Sequence, residues 1–162
     1  MISVKSNQEI DLMKKAGYVV ALVLEKMNKN IKPGITTREL DRIAEEIIVK
    51  NGGIPSFKGY RNPMGSIDFP SSICASVNNE VVHGIPGLRE LKNGDIISID
   101  VGVYLNGYHG DAARTFAVGN ISDKAKKLID VTRESFYRGI LFATDGNRII
   151  DISTAVQNYV EE

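Results

Sequence analysis

The pair Asn106-Gly107 stands in the middle of SIDVGVYLNGYHGDAARTF, residues 98–116. Asn-Gly between apolar runs is the strongest short signal for a β-hairpin, because both central residues of a type I′ turn need φ > 0. A two-residue turn there fixes the register: Asp100 faces Ala113, and Asp111 faces Gly102. Residues 100, 102, 111 and 113 then share one face of the ribbon. The two carboxylates become diagonal neighbours, about 5.5 to 8 Å apart at the backbone. Like charges that close repel unless a cation lies between them, and a divalent pair spaced about 3.5 to 4 Å fits that gap. The competing reading is two solvated aspartates on an exposed face. His109 has the parity to face the same side and is expected to support the site from behind. Gly110 after it is a candidate bulge that would re-aim it.

A second alternating stretch, SSICASVNNEVVHGIPG at residues 71–87, surrounds Asn78-Asn79. Asn tolerates φ > 0, so this stretch also reads as a hairpin, with Cys74 opposite His83. The chain has one cysteine and two histidines, which gives the coincidence weight. It allows a Cys–His nucleophile pair, a mixed metal site, or a buried cysteine beside a polar histidine, cysteine being among the most buried residue types.

Helix signals flank the two stretches. Ser6 to Glu9 has capping-box spacing, and Ile10, Met13, Val20, Val23, Leu24 and Met27 continue at helical period until Lys32-Pro33-Gly34. Thr36 to Glu39 opens a second capping box, with Leu40, Ile43, Ala44, Ile47 and Ile48 on one helix face, closed by Gly52-Gly53. Residues 54–70 are loop-rich, and 61–68 reads as a lengthened loop. Ser122-Asp123 starts a helix through about Ala143, and Ile149 to Tyr159 begins another.

These motifs resemble type I methionine aminopeptidases of the bacterial kind. The resemblance runs from about Ile2 to the end and is carried by SICASVNNEVVHGIPG and NGDIISIDVGVYLNGYHGDAARTFAVG. It implies an α+β pita-bread (creatinase/aminopeptidase) fold, with antiparallel hairpins packed on helices. It also implies that Asp100 and Asp111 are metal ligands, and that His83 sits beside the scissile bond and hydrogen-bonds substrate. Phe57, Tyr60, Phe69 and Cys74 would wall the pocket for the methionine side chain. The implied cofactor is two divalent metal ions (Co, Mn, Fe, Zn or Ni), and the implied reaction is removal of N-terminal methionine from peptides and nascent chains, with ribosome association as a further implied contact. The family's remaining ligands come from a GHGIG-like segment, an HEEP-like segment and a late strand, none of which occurs in these residues. The expectation is a single, truncated catalytic domain over 1–162: the first pseudo-symmetric half plus the opening helices of the second. Such a half-fold leaves an unpaired sheet edge, which favours self-association.

Composition sets the remaining bounds. The chain has 162 residues, 43% hydrophobic and 25% charged, with zero formal net charge. Those are ordinary globular values, and neutrality gives no reason to expect DNA or an anionic membrane. A lone cysteine rules out an internal disulfide and suits a reducing compartment, hence a cytoplasmic location. Glu9 and Asp11 come too early for a signal peptide, and no run approaches the roughly 20 apolar residues of a membrane span. Two readings compete with the aminopeptidase: a non-catalytic half-fold that binds nascent chains, and a Cys–His hydrolase using Cys74 and His83.

Overall fold

The Asn106-Gly107 turn forms as its chemistry dictates, with φ of 53° and 89° at the two residues. It joins β3 (Ile96–Leu105) to β4 (Tyr108–Ala117) in an unbroken antiparallel ladder, with Asp100 opposite Ala113 and Gly102 opposite Asp111. The computed structural model describes residues 3–61 and 67–162, so most of the lengthened 61–68 loop lies outside the described residues. The remaining elements are α1 (Asn7–Asn30), α2 (Thr37–Lys50), β1 (Ile54–Pro55), β2 (Ile73–Val77), α3 (Asp123–Ile140) and α4 (Ile149–Glu161). The chain divides into two units, Met1–Asn120 and Ile121–Glu162.

In the first unit β3 is the axis of the sheet. One of its edges takes β4; the other takes β2 along residues 97–101 and the short β1 at Val103 and Tyr104. Period-2 alternation then sorts the two faces. Ile97, Ile99, Val101 and Val103 are fully buried, as are Ile73 and Val77 of β2. They pack with Val20, Val23 and Met27 of α1 and with Leu40, Ala44 and Ile48 of α2. Each such aliphatic side chain contributes about 1.5–3 kcal/mol relative to leaving it exposed. Ser98, Asp100, Gly102 and Tyr104 point to the opposite face.

The first helix start carries its full capping box and the second only the N-cap half of the expected box. Ser6 and Glu9 make a reciprocal capping box, and the Thr36 hydroxyl accepts from the Glu39 backbone N–H. The apolar stripe of α1 begins later than its sequence pattern predicts. Ile10 and Met13 remain partly exposed, whereas Ala16 and Val19 are buried.

Two expectations are corrected. Residues 71–87 do not form a hairpin: β2 pairs with β3, and Cys74 lies opposite Asp100, not opposite His83. Only Asn78 of the Asn78-Asn79 pair takes positive φ, at 59°, so the mirror-image turn of a hairpin cannot close. The Asn78 side chain is committed to β3 instead, donating to Asp95 Oδ1 at 2.8 Å and accepting from the Ile96 N–H at 3.0 Å. Gly110 is likewise no bulge, since Val103 pairs with it in the continuous ladder. Its missing side chain admits α1: a Cβ there would lie 2.6 Å from Gly17 N and 2.7 Å from Ala16 C.

In the second unit, α3 starts at an Ser122 cap and α4 packs beside it. Gly139 allows the approach, because a Cβ there would meet Val156 at 2.7 Å. The Arg138 guanidinium lies 3.8 Å from the centroid of the Tyr159 ring. No helix among the described residues is long and apolar enough to cross a membrane.

Candidate functional site

The polar face of the β3–β4 ribbon gathers the chemistry. Asp100 projects from the middle of β3 and is half-buried; Asp111 projects from β4 and is exposed. Burial pushes the Asp100 carboxyl above the ordinary carboxylate range, and the Asp111 charge adds to the rise while His83 opposes it. The register alone makes these acids neighbours, and their mutual repulsion is the electrostatic signature of that proximity. Asp100 Oδ1 is buried and has no hydrogen-bond partner among the described residues. A buried, unpartnered carboxylate oxygen beside a second carboxylate is a costly arrangement unless a cation completes it.

Gly102 sits between the acids in the register, directly opposite Asp111. It is the floor on which the aromatic wall rests. A Cβ at Gly102 would lie 2.8 Å from the Phe57 ring and 2.8 Å from Ser56 Cβ. Phe57 in turn meets Phe69 edge to face, with centroids 6.5 Å apart. The two rings belong to a strap closed by backbone bonds from Gly59 N to Phe69 O and from Phe69 N to Tyr60 O. Tyr60 itself points outward and is 70% exposed. Thus Phe57 stands directly over the acid-bearing face, while the Tyr60 side chain faces solvent.

Cys74 is buried beside Asp100 on the adjacent strand. Burial, helped by the Asp100 and Asp111 charges, pushes its thiol up to about 11. A thiol so placed is almost wholly protonated at neutral pH, the opposite of an activated nucleophile. His83 lies on the exposed loop after β2 with φ of 60°, near enough for its charge to act on Asp100. His109 shares the ribbon face with Asp111. Its Nδ1 is 2.8 Å from Ser56 Oγ, and its ring lies 4.8 Å from that of Tyr104.

Asp41 is a residue that the sequence reading passed over. Half-buried on α2, it accepts from the backbone N–H groups of Ser72 at 2.8 Å and Ile73 at 3.1 Å, fixing the start of β2. Desolvation raises its carboxyl above the ordinary range, against the pull of those two N–H groups. The available signal was an acid one position from Leu40 and four from Thr37, in the frame of the buried helix face.

The two carboxylates are hard oxygen donors suited to a divalent cation. Among the described residues no group of three or more His, Cys, Asp or Glu is placed to hold a metal, so the pair fits as part of a coordination shell. A model of the metallopeptidase family M24 matches residues 11–162. The chain belongs to that family. It is 57% identical over 161 residues to the methionine aminopeptidase of Clostridium perfringens and 58% identical to methionine aminopeptidase 1 of Bacillus subtilis. In both cases the match covers 99% of this chain and 62% of the relative, so the chain spans less than two thirds of their length. The crystal structure of the methionine aminopeptidase of Thermotoga maritima superposes with a TM-score of 0.93 at 41% identity, covering 99% of this chain and 63% of that one. The prolidase of Pyrococcus furiosus, at 19% identity and a TM-score of 0.83, shares the fold. The α+β arrangement seen here is therefore that of the pita-bread metallopeptidases.

Proposed function

We propose that this chain carries the metal-facing and substrate-facing ribbon of a methionine aminopeptidase, a hydrolase that removes N-terminal methionine from peptides and nascent proteins. The single observation behind this reading is the Asp100–Asp111 pair: two carboxylates on one ribbon face, one with a buried oxygen that has no partner among the described residues. Their chemistry agrees with membership in a metallopeptidase family.

In this reading Asp100 and Asp111 hold the divalent metal, and their joint negative charge is what selects it. Once bound, such a metal lowers the pKa of water and polarises the peptide carbonyl. The chain's own side chains position the substrate. Phe57, Phe69 and the protonated Cys74 offer an apolar recess beside the acids, suited to a flexible thioether, with Tyr60 at the rim. His83 presents an imidazole to the same face, where it would hydrogen-bond the reacting amide. His109, tied to Ser56, braces Asp111 and the Phe57 strap from the turn side. Co, Mn, Fe, Zn and Ni all suit carboxylate and imidazole donors to differing degrees, and the donors on this ribbon do not choose among them. Two metal ions, a cytoplasmic setting, contact with ribosomes and one domain over 1–162 belong to the same proposal.

The Cys–His hydrolase is disfavoured by the position of Cys74 opposite Asp100 and by its raised pKa. The non-catalytic binding module differs from the aminopeptidase in predicting peptide binding without release. One assay separates the readings: release of methionine from Met-Ala-Ser by the 162-residue chain with Mn²⁺ or Co²⁺, with and without chelator. Chelator-sensitive release supports the aminopeptidase. Release that survives the chelator and stops with a thiol alkylator supports the cysteine hydrolase. No release from a folded chain that still binds the peptide supports the binding module.

A further inference from the structure

We propose that Ser76 and Gly84 form a clamp that positions His83 over the acid-bearing face. This inference rests on the reading of His83 as a substrate-contacting residue. Among the described residues His83 is one of three non-glycine residues with positive φ, at 60°. The other two are asparagines; asparagine and histidine both visit that region more often than most residues, yet the conformation persists in a non-glycine residue where the surrounding structure holds it.

Burial does not supply the hold. Val81, Val82 and Ile85, the apolar residues around His83, are 86%, 64% and 61% exposed. They make no core that would set the loop. The loop is set instead at the residue after His83. Ala75 N donates to Gly84 O at 2.8 Å, and Gly84 N donates to Ser76 Oγ at 3.1 Å. Gly84 therefore lies flat against β2, and a Cβ on it would be 2.3 Å from Ala75 O and 2.9 Å from Ser76 Cα. No side chain fits there, and Ser76, only 4% exposed, turns its hydroxyl to the Gly84 N–H. Two outer ties limit how far the segment swings. Glu80 joins the Val77 N–H to Arg89, and Gly87 is bonded to Thr37 and Arg38 at the start of α2. Ser76 shares a face of β2 with Cys74, which lies opposite Asp100, so the pinned Gly84 holds His83 on the acid-bearing side of the sheet.

The test uses the fact that the chain has only two histidines. In the ¹⁵N-histidine-labelled 162-residue protein, His83 reports the clamp and His109, anchored to Ser56, is the internal reference. Without metal, S76A is expected to shift and broaden the His83 imidazole signals while leaving those of His109 unchanged, with the melting temperature lowered by only the few degrees that one lost hydrogen bond costs. G84A should produce the same loss from the steric side; where G84A fails to fold, S76A decides. A His83 spectrum unmoved by S76A, or one that moves together with His109, overturns the proposal. In a second arm, Mn²⁺ is expected to broaden both imidazoles in the wild type. In S76A it should still broaden His109 but lose most of its effect on His83. If Mn²⁺ broadens neither imidazole in the wild type, the metal reading fails, and the metal-free spectra still decide the clamp.

Discussion

Residues 96–117 and residues 71–87 carry similar sequence signals and fold differently. Both alternate around an asparagine-led pair, and both put an asparagine at positive φ. In the first, the following Gly107 also turns left-handed, so the strands twist back on each other and pair for their full length. In the second, Asn79 does not, and Asn78 spends its side chain on Asp95 and Ile96. The chain after β2 is released as a loop, and β2 pairs with β3 instead. The lesson is that a hairpin needs both central residues to accept φ > 0. One asparagine alone makes a corner that can be claimed by a neighbouring strand. The difference has a functional side, since the regular ribbon carries the acids and the irregular loop carries His83.

The comparison can be broken at the ribbon first. Gly110→Ala would press a methyl group into the backbone of α1 at 2.6 Å, with an expected loss of about 3 kcal/mol, the upper end for overpacking. Chemical unfolding of the purified variant measures it. Gly107→Ala meets nothing within 4 Å and suffers only from its φ of 89°. The expected cost is smaller, about 1–2 kcal/mol, in the same unfolding experiment. If the two substitutions cost the same, close packing of α1 on β4 is not what Gly110 provides.

The loop is sharpened by Asn78→Ala, which removes two side-chain bonds to the start of β3. A loss of about 1–2 kcal/mol is expected. Hydrogen exchange should accelerate at Val77 and Ile96 while the protection of Val103 and Ala112, in hydrogen-bonded pairs of the ribbon, stays. The smallest effect concerns acid pH. The Asn78 side chain, followed by the Lys92 N–H, holds the Asp95 carboxyl below the ordinary carboxylate range. Its stabilisation is therefore present above that range and is lost as pH falls through the depressed folded value. Because Asp95 is largely solvated the effect is slight. The acid limb of the stability curve should be shallower in D95N than in the wild type.

The sequence was most readable where one local signal decides the outcome. The capping box at Ser6, the Thr36 cap and the Asn106-Gly107 turn each act within four residues, and the ribbon register followed from the turn alone. It was least readable where long-range pairing chose between local options. The pairing of β2 depends on β3, about twenty residues away, so the local pattern gives Cys74 the wrong opposite number. Gly102 and Gly110 look alike as glycines in strands. Only the packed structure shows that one makes room for Phe57 and the other for α1. Asp41 was hidden because its partners are backbone N–H groups of a distant strand, which no side-chain pattern announces.

The most direct test of the account is a calorimetric titration of Mn²⁺ into the wild-type chain and into the D100N/D111N double variant. Asn keeps the shape and removes the charge, so the double variant should fold at least as well, with the repulsion between the two acids relieved. The account predicts weak binding by the wild type that disappears in the double variant, as expected of two carboxylates forming part of a coordination shell. Equal heats from both proteins, or no binding by the wild type, would contradict the claim that the β3–β4 ribbon carries a metal site.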